Sequence, residues 1–302
     1  MILKQPFYIT RKLSGIAGTS WMLICLVLVI MLPIFLGIGL YIKSLPLLGS
    51  ASLNTLVFTG TWHPMAGKFG FAPFIMSSVY VTVLALLFSA PICILTAIYL
   101  TQYARKRYLR IMQPVIDILA GIPSVIYGVW GILVIVPLVS HHIAPFFGLQ
   151  SSGYSLLSGA LVLSVMIIPF ILNILIEVFR TIPDELTEAS LSVGATRWQT
   201  IKFVTLKKAF PGIISALVFG ISRAFGETIA VLMVIGNVAI MPKSVFDPAY
   251  PLPALIANNY GEMLSIPMYD SALMMAALLL FIIVLVFNLA ARITITRLET
   301  KQ

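Results

Sequence analysis

The sequence predicts an all-α integral membrane protein of six transmembrane helices, and three observations carry that prediction. Of 302 residues, 60% are hydrophobic and 10% charged, against about 25% charged in soluble domains. That much apolar surface exceeds what one soluble core of this size hides. Six stretches reach the roughly 20 mostly apolar residues that cross a bilayer. The basic residues cluster beside alternate ends of those stretches, as the positive-inside rule describes. The whole chain, 1–302, reads as one transmembrane domain.

The spans are expected near 14–42, 73–100, 113–139, 154–179, 212–236 and 270–292. The first is too long for the apolar region of a signal peptide and lacks a small-x-small cleavage site, so it reads as a membrane helix. Lys4, Arg11 and Lys12 precede the first span; Arg105, Lys106, Arg107 and Arg110 follow the second. Arg180, Arg197, Lys202, Lys207 and Lys208 follow the fourth, and Arg292, Arg297 and Lys301 the sixth. Fifteen basic residues thus share one side, against Lys43, Lys68 and Lys243 on the other. This pattern puts both termini in the cytoplasm, in a multi-pass protein of the plasma (inner) membrane. It also accounts for the net charge of +9 without a nucleic-acid partner.

Pro33, Pro91, Pro123, Pro137 and Pro169 interrupt apolar runs; each frees a carbonyl that neighbouring helices must satisfy. In "AGIPSVIYGVWG", Gly121, Ser124, Gly128 and Gly131 permit close helix approach. Two longer loops, 43–72 and 237–269, lie on the other side. The stretch Gly60–Gly70 reads equally as interfacial anchoring by Trp62 and Phe69 or as a docking surface. Cys25 and Cys93 sit in apolar runs as packing or lipid contacts. The three histidines have no metal-ligand spacing, so neither a metal nor a cofactor is expected.

Within "GISRAFGETIAVLMVIGN", Arg223 and Glu227 stand in the fifth apolar stretch. Counted from Gly212, Arg223 is about 16 Å in at 1.5 Å per residue, near the middle of a hydrocarbon core about 30 Å thick. A charge there costs at least ~2.5–3.5 kcal/mol. On a continuous helix the two side chains can touch at i and i+4. Two readings follow. The pair neutralises itself and orients one helix against another. Alternatively, it lines a pathway in which the planar guanidinium meets a tetrahedral oxyanion, while Glu227 holds Arg223 or accepts a hydrogen bond from a protonated anion. Gly220, Ser222, Gly226 and Thr228 leave room beside it.

The loop 181–211 is the longest polar insertion on the basic side. Pro183, Asp184 and Glu185 mark a helix start, Gly194 a C-terminal stop, and Thr196 the cap of a second helix. By itself the short helix is either a solvated surface or a peg for a partner. "EASLSVGATRWQTIKFVTLKK" resembles the EAA loop of ABC-importer permeases: Glu-Ala-Ala, three residues, Gly, nine residues, then Ile-x-Leu-Pro. Glu188, Ala189, Ser190, Gly194, Val204 and Leu206 hold the spacing. Ser190 replaces Ala, Val204 replaces Ile and Lys207 replaces Pro, leaving Pro211 to fix the helix entry. The resemblance implies a type I permease bundle and a coupling helix seated on an ATPase, formed by Asp184, Glu185, Glu188, Ala189, Ser190, Gly194 and Ala195. With "GTWHPMAGKFGFAPFI", "AGIPSVIYGVWG" and "RAFGETIAVLMVIGN", the chain is similar to phosphate-uptake permeases, nearer the PstC type than the PstA type. That similarity implies Arg223 and Glu227 on a phosphate pathway. It also implies a PstA-like second permease, ABC ATPase subunits and an extracytoplasmic phosphate-binding protein as partners.

No Walker A motif occurs: in "GTWHPMAGKFG" Lys68 is followed by Phe69 and the glycine spacing is wrong. Neither HExxH nor GxSxG is present. ATP hydrolysis is therefore expected in a separate chain and no enzymatic role in this one. A permease for sulfate or molybdate, or an ATP-independent carrier using Glu227 as a proton relay, are the alternatives.

Overall fold

A computed structural model describes residues 5–261 and 266–299, with side chains from residue 18 onward apart from 295, 298 and 299. Lys4 and Lys301 lie outside the described residues, and the side chains of Arg11 and Lys12 likewise. Among the described residues six helices are long and apolar enough to cross a membrane: Gly18–Ser50, Ala72–Tyr103, Ser124–Phe146, Leu156–Arg180, Arg197–Phe225 and Tyr269–Thr294.

Helix α1 (Gln5–Ser50) leads to a short α2 (Leu53–Phe58) and a hairpin of β1 (Trp62–His63) and β2 (Lys68–Phe69). Helix α3 (Ala72–Ile98) continues through a π turn, Tyr99–Tyr103. Then come α4 (Lys106–Gly121) and α5 (Ser124–Trp130), whose helix runs on to Phe146. Helix α6 (Leu156–Arg180) is followed by α7 (Asp184–Ser192) and α8 (Arg197–Thr200). A π turn, Ile201–Thr205, joins α8 to α9 (Leu206–Phe225). The chain ends with α10 (Ile229–Leu232), α11 (Leu252–Asn259) and α12 (Tyr269–Glu299).

The core forms around α6, which packs against α3, α4 and α9. Leu163, Ile167, Ile171 and Leu175 recur every four residues and are fully buried, so one face of α6 fills the centre of the bundle. Helix α1 stands apart: it packs on α12 through residues such as Gly37, whose neighbour is Phe281, while Trp21–Ile30 is largely exposed. At the hairpin end Trp62 meets Phe69, Phe71, Phe74 and Tyr269 edge-on, with centroids 4.8–6.1 Å apart. Trp62 and Phe69 are therefore parts of an aromatic cluster that pins the hairpin to α12, rather than free interfacial anchors. Burial raises the pKa of Tyr250 in this cluster, opposed by amide hydrogen bonds from Asn258 and Asn259.

Three crossings differ from the sequence expectation, the first by ending at Ser50 rather than near 42. The third apolar helix runs Ser124–Phe146 rather than 113–139. Pro123 disfavours helical backbone at the residue before it, and Ile122 is extended (φ −66°, ψ 127°). The Tyr127 hydroxyl donates to the Leu119 carbonyl at 2.9 Å across this break. The fifth helix runs Arg197–Phe225 rather than 212–236, and stops at Gly226, before a new turn begins at Ile229.

The two halves beyond the breaks, α5 and α10, pack on each other. A Cβ on Gly128 would lie 2.5 Å from Met233 Sδ and 3.3 Å from Ala230 Cα, so the absence of a side chain there sets how closely they approach.

Candidate functional site: a polar stripe and a projecting helix

Arg223 and Glu227 do not form an ion pair. The i, i+4 contact requires an unbroken helix, and the chain leaves helical geometry between them. Each charge is met separately. Arg223 occupies the last turn of α9, where the helix dipole favours a cation. Its guanidinium carbon lies 4.4 Å from the centre of the Phe170 ring, a cation–π contact. Glu227 Oε1 accepts from the Ala230 N–H at 3.4 Å and so caps the first turn of α10. Glu227 also lines a cavity of about 10 Å³ with Ser78 and Thr82, and the Thr82 hydroxyl is buried without a hydrogen-bond partner among the described residues. Beside the arginine, the Ser222 hydroxyl donates to Asn288 Oδ1 of α12 at 2.8 Å.

Phe170 belongs to a stripe that sequence reasoning missed. Phe170, Asn173, Glu177 and Arg180 follow one another at three- and four-residue steps, so they share one face of α6. All four are half-buried or exposed, and Arg223 is exposed. Asn173 donates from Nδ2 to Asp117 Oδ1 at 3.1 Å and accepts from Gln113 Nε2 at 3.1 Å, both on α4. Arg180 Nη1 donates to Glu177 Oε1 at 2.7 Å. The signal was available: Gln113, Asp117 and Asn173 are polar residues within apolar runs. Phe170 lies ten residues before Arg180, about 15 Å along the helix. That is half of a hydrocarbon core about 30 Å thick. Arg223 thus stands about 15 Å from the Arg180 end of α6, on an open polar face of the chain.

The loop after α6 follows its sequence closely. Asp184 and Glu185 occupy the first turn of α7 after Pro183. Gly194 ends the helix at φ 87°, a left-handed backbone that favours glycine, with Ala195 N–H donating to the Ser190 carbonyl at 3.3 Å. Thr196 and Gln199 form a reciprocal capping box on α8. Asp184, Glu185, Glu188 and Ala189 are exposed, and no residue of α7 is buried. Val193 at its end is 83% exposed. Ser190 and Thr200 join α7 to α8 through a 2.9 Å hydroxyl contact. The serine that departs from the EAA pattern therefore braces this turn, with Thr200 as an unforeseen partner. An exposed, internally braced helix carrying acidic and apolar side chains is suited to pressing on another protein.

Comparisons with known proteins agree with this geometry. Residues 89–301 match the family described as "Binding-protein-dependent transport system inner membrane component". The chain is 37% identical over 286 residues to the "Probable ABC transporter permease protein YqgH" of Bacillus subtilis, covering 93% of this chain and 91% of that protein. It is 35% identical to the "Probable phosphate transport system permease protein PstC" of Methanocaldococcus jannaschii, covering 87% and 88%. It is 34% identical to the "Phosphate transport system permease protein PstC" of Xylella fastidiosa, covering 81% and 79%. Among solved structures, a chain of the bacterial alginate ABC transporter bound to an alginate pentasaccharide-bearing periplasmic protein superposes with a TM-score of 0.61 at 20% identity, covering 96% of each chain. The bundle is thus a type I ABC-importer permease fold, and the chain belongs to the binding-protein-dependent transport system inner membrane components, as a multi-pass protein of that membrane.

Proposed function

We propose that this chain is a transmembrane permease subunit of an ATP-driven inorganic phosphate importer and forms half of its translocation pathway. Arg223 carries the reading: it is a cation at mid-height, positioned by Phe170 and left open on a polar stripe. Charged residues against lipid are costly at that depth, which supports a second permease, PstA-like, as the other wall. The guanidinium offers an anion several donors in one plane. Glu227 acts on the break itself, by capping α10 and holding the ends of the two half-helices in register. The distribution of basic residues supports a cytoplasmic location for α7 and for both termini. There α7, with Glu188, Ala189, Ser190, Gly194 and Ala195, acts as the coupling helix on a separate ABC ATPase, where hydrolysis takes place. The hairpin end then faces the phosphate-loaded binding protein.

The test is uptake of radiolabelled phosphate by membranes carrying the full importer. Arg223→Gln should abolish uptake while the subunits still copurify; near-normal uptake refutes the pathway role. Sulfate and molybdate in excess should leave wild-type uptake unchanged, and competition by either refutes selectivity for phosphate among oxyanions.

A further inference from the structure

At the end of the bundle that carries α7 lies a cavity of about 820 Å³, separate from Arg223. Its volume falls within the ~300–1,000 Å³ typical of small-molecule sites. The π turn after α3, the start of α4, the end of α6 and the start of α7 line it, and it is open on one side. Three cations line it, Lys106, Arg110 and Arg180, against one carboxylate, Asp184. Arg180 is already held by Glu177. Lys106 and Arg110 have no ion pair, hydrogen bond or ring contact among the described residues.

Lys106 and Arg110 stand four residues apart on α4, so they are neighbours on one helix face, and like charges so placed repel. That repulsion is relieved by an anion that both can reach. The planar fork of Arg110 suits two oxygens of one tetrahedral group, and Lys106 supplies a compact point charge beside it. Asp184 and Thr187 of α7 form the opposite wall, so an occupant would sit between the projecting helix and the transmembrane body.

We propose that this cavity binds a phosphate-bearing anion at Lys106 and Arg110, supplied either as free inorganic phosphate or as the headgroup of an anionic phospholipid. Occupancy bridges α4 to the first turn of α7 and biases where that helix rests. The site stands apart from the pathway reading, because its residues are distinct from Arg223 and Glu227.

The experiment uses the full chain carrying Arg223→Gln, so that binding at the pathway does not contribute. One arm measures radiolabelled inorganic phosphate bound in phosphatidylcholine nanodiscs. The other measures phosphatidylglycerol retained after exchange from mixed nanodiscs, by native mass spectrometry. Binding in one arm or the other is expected, weakened about tenfold or more by Lys106→Gln with Arg110→Gln and retained by Lys106→Arg. Phosphate bound in the first arm assigns the free ion, and retention in the second alone assigns the lipid. If the double glutamine variant misfolds, single Lys106→Gln and Arg110→Gln variants carry the same readout. Absence of binding in both arms, or equal binding in the glutamine and parent proteins, overturns the proposal.

Discussion

Phe170→Leu isolates what the aromatic face does for Arg223. Leucine keeps an apolar side chain on α6 but removes the ring whose centre lies 4.4 Å from the guanidinium. A cation–π contact contributes about 0.5–1 kcal/mol when exposed and about 2 when desolvated. Arg223 is exposed in the chain but would be shielded from bulk water at mid-membrane, so the contact contributes about 1–2 kcal/mol. By the usual conversion that is roughly a 5- to 30-fold effect. Phosphate uptake by the assembled importer should fall by this factor while subunit content is unchanged. Because the ring face is what acts on Arg223, Phe170→Tyr, which keeps that face, should hold uptake near the parent level. Unchanged uptake in Phe170→Leu, or an equal loss in Phe170→Tyr, would refute the reasoning.

Other outcomes follow from the same geometry. The double variant Arg223→Glu, Glu227→Arg should remain inactive, because arginine cannot accept the Ala230 N–H and a carboxylate would face the negative surface of the Phe170 ring; restored uptake would instead support a self-neutralising pair. Gly194→Pro should uncouple ATP hydrolysis from uptake, since proline fixes φ near about −65° where the chain requires 87°; an unchanged ratio of phosphate moved to ATP hydrolysed counts against the coupling role of α7. Gly128→Val should cost about 1–3 kcal/mol by overpacking against Met233 and the Ala230 backbone, read as a lower thermal transition in detergent, and a stability equal to wild type would show that α5 and α10 can separate freely.

What the sequence disclosed was local. The caps of α7 and α8 are set by Pro183, Asp184, Gly194 and Thr196, each acting within a few residues, and the structure repeats them. The number of crossings follows from apolar length alone. The relation between Arg223 and Glu227 does not, because it assumes an axis that Gly226 ends. Pro123 gives the same lesson: it was visible as a breaker, yet the apolar residues on both sides concealed that it divides two helices. The stripe through Phe170 and Asn173 depends on which neighbour α6 meets, a tertiary fact that spacing in one segment cannot supply.

The two interruptions also lie at nearly one level. Asp117 is bonded to Asn173; Ile122 is five residues after Asp117 and Phe170 three before Asn173, about 7 and 5 Å along their helices. Backbone groups freed by the two breaks therefore occur at a similar height, where side chains such as Tyr127 and Glu227, rather than continuous helix bonds, supply their partners.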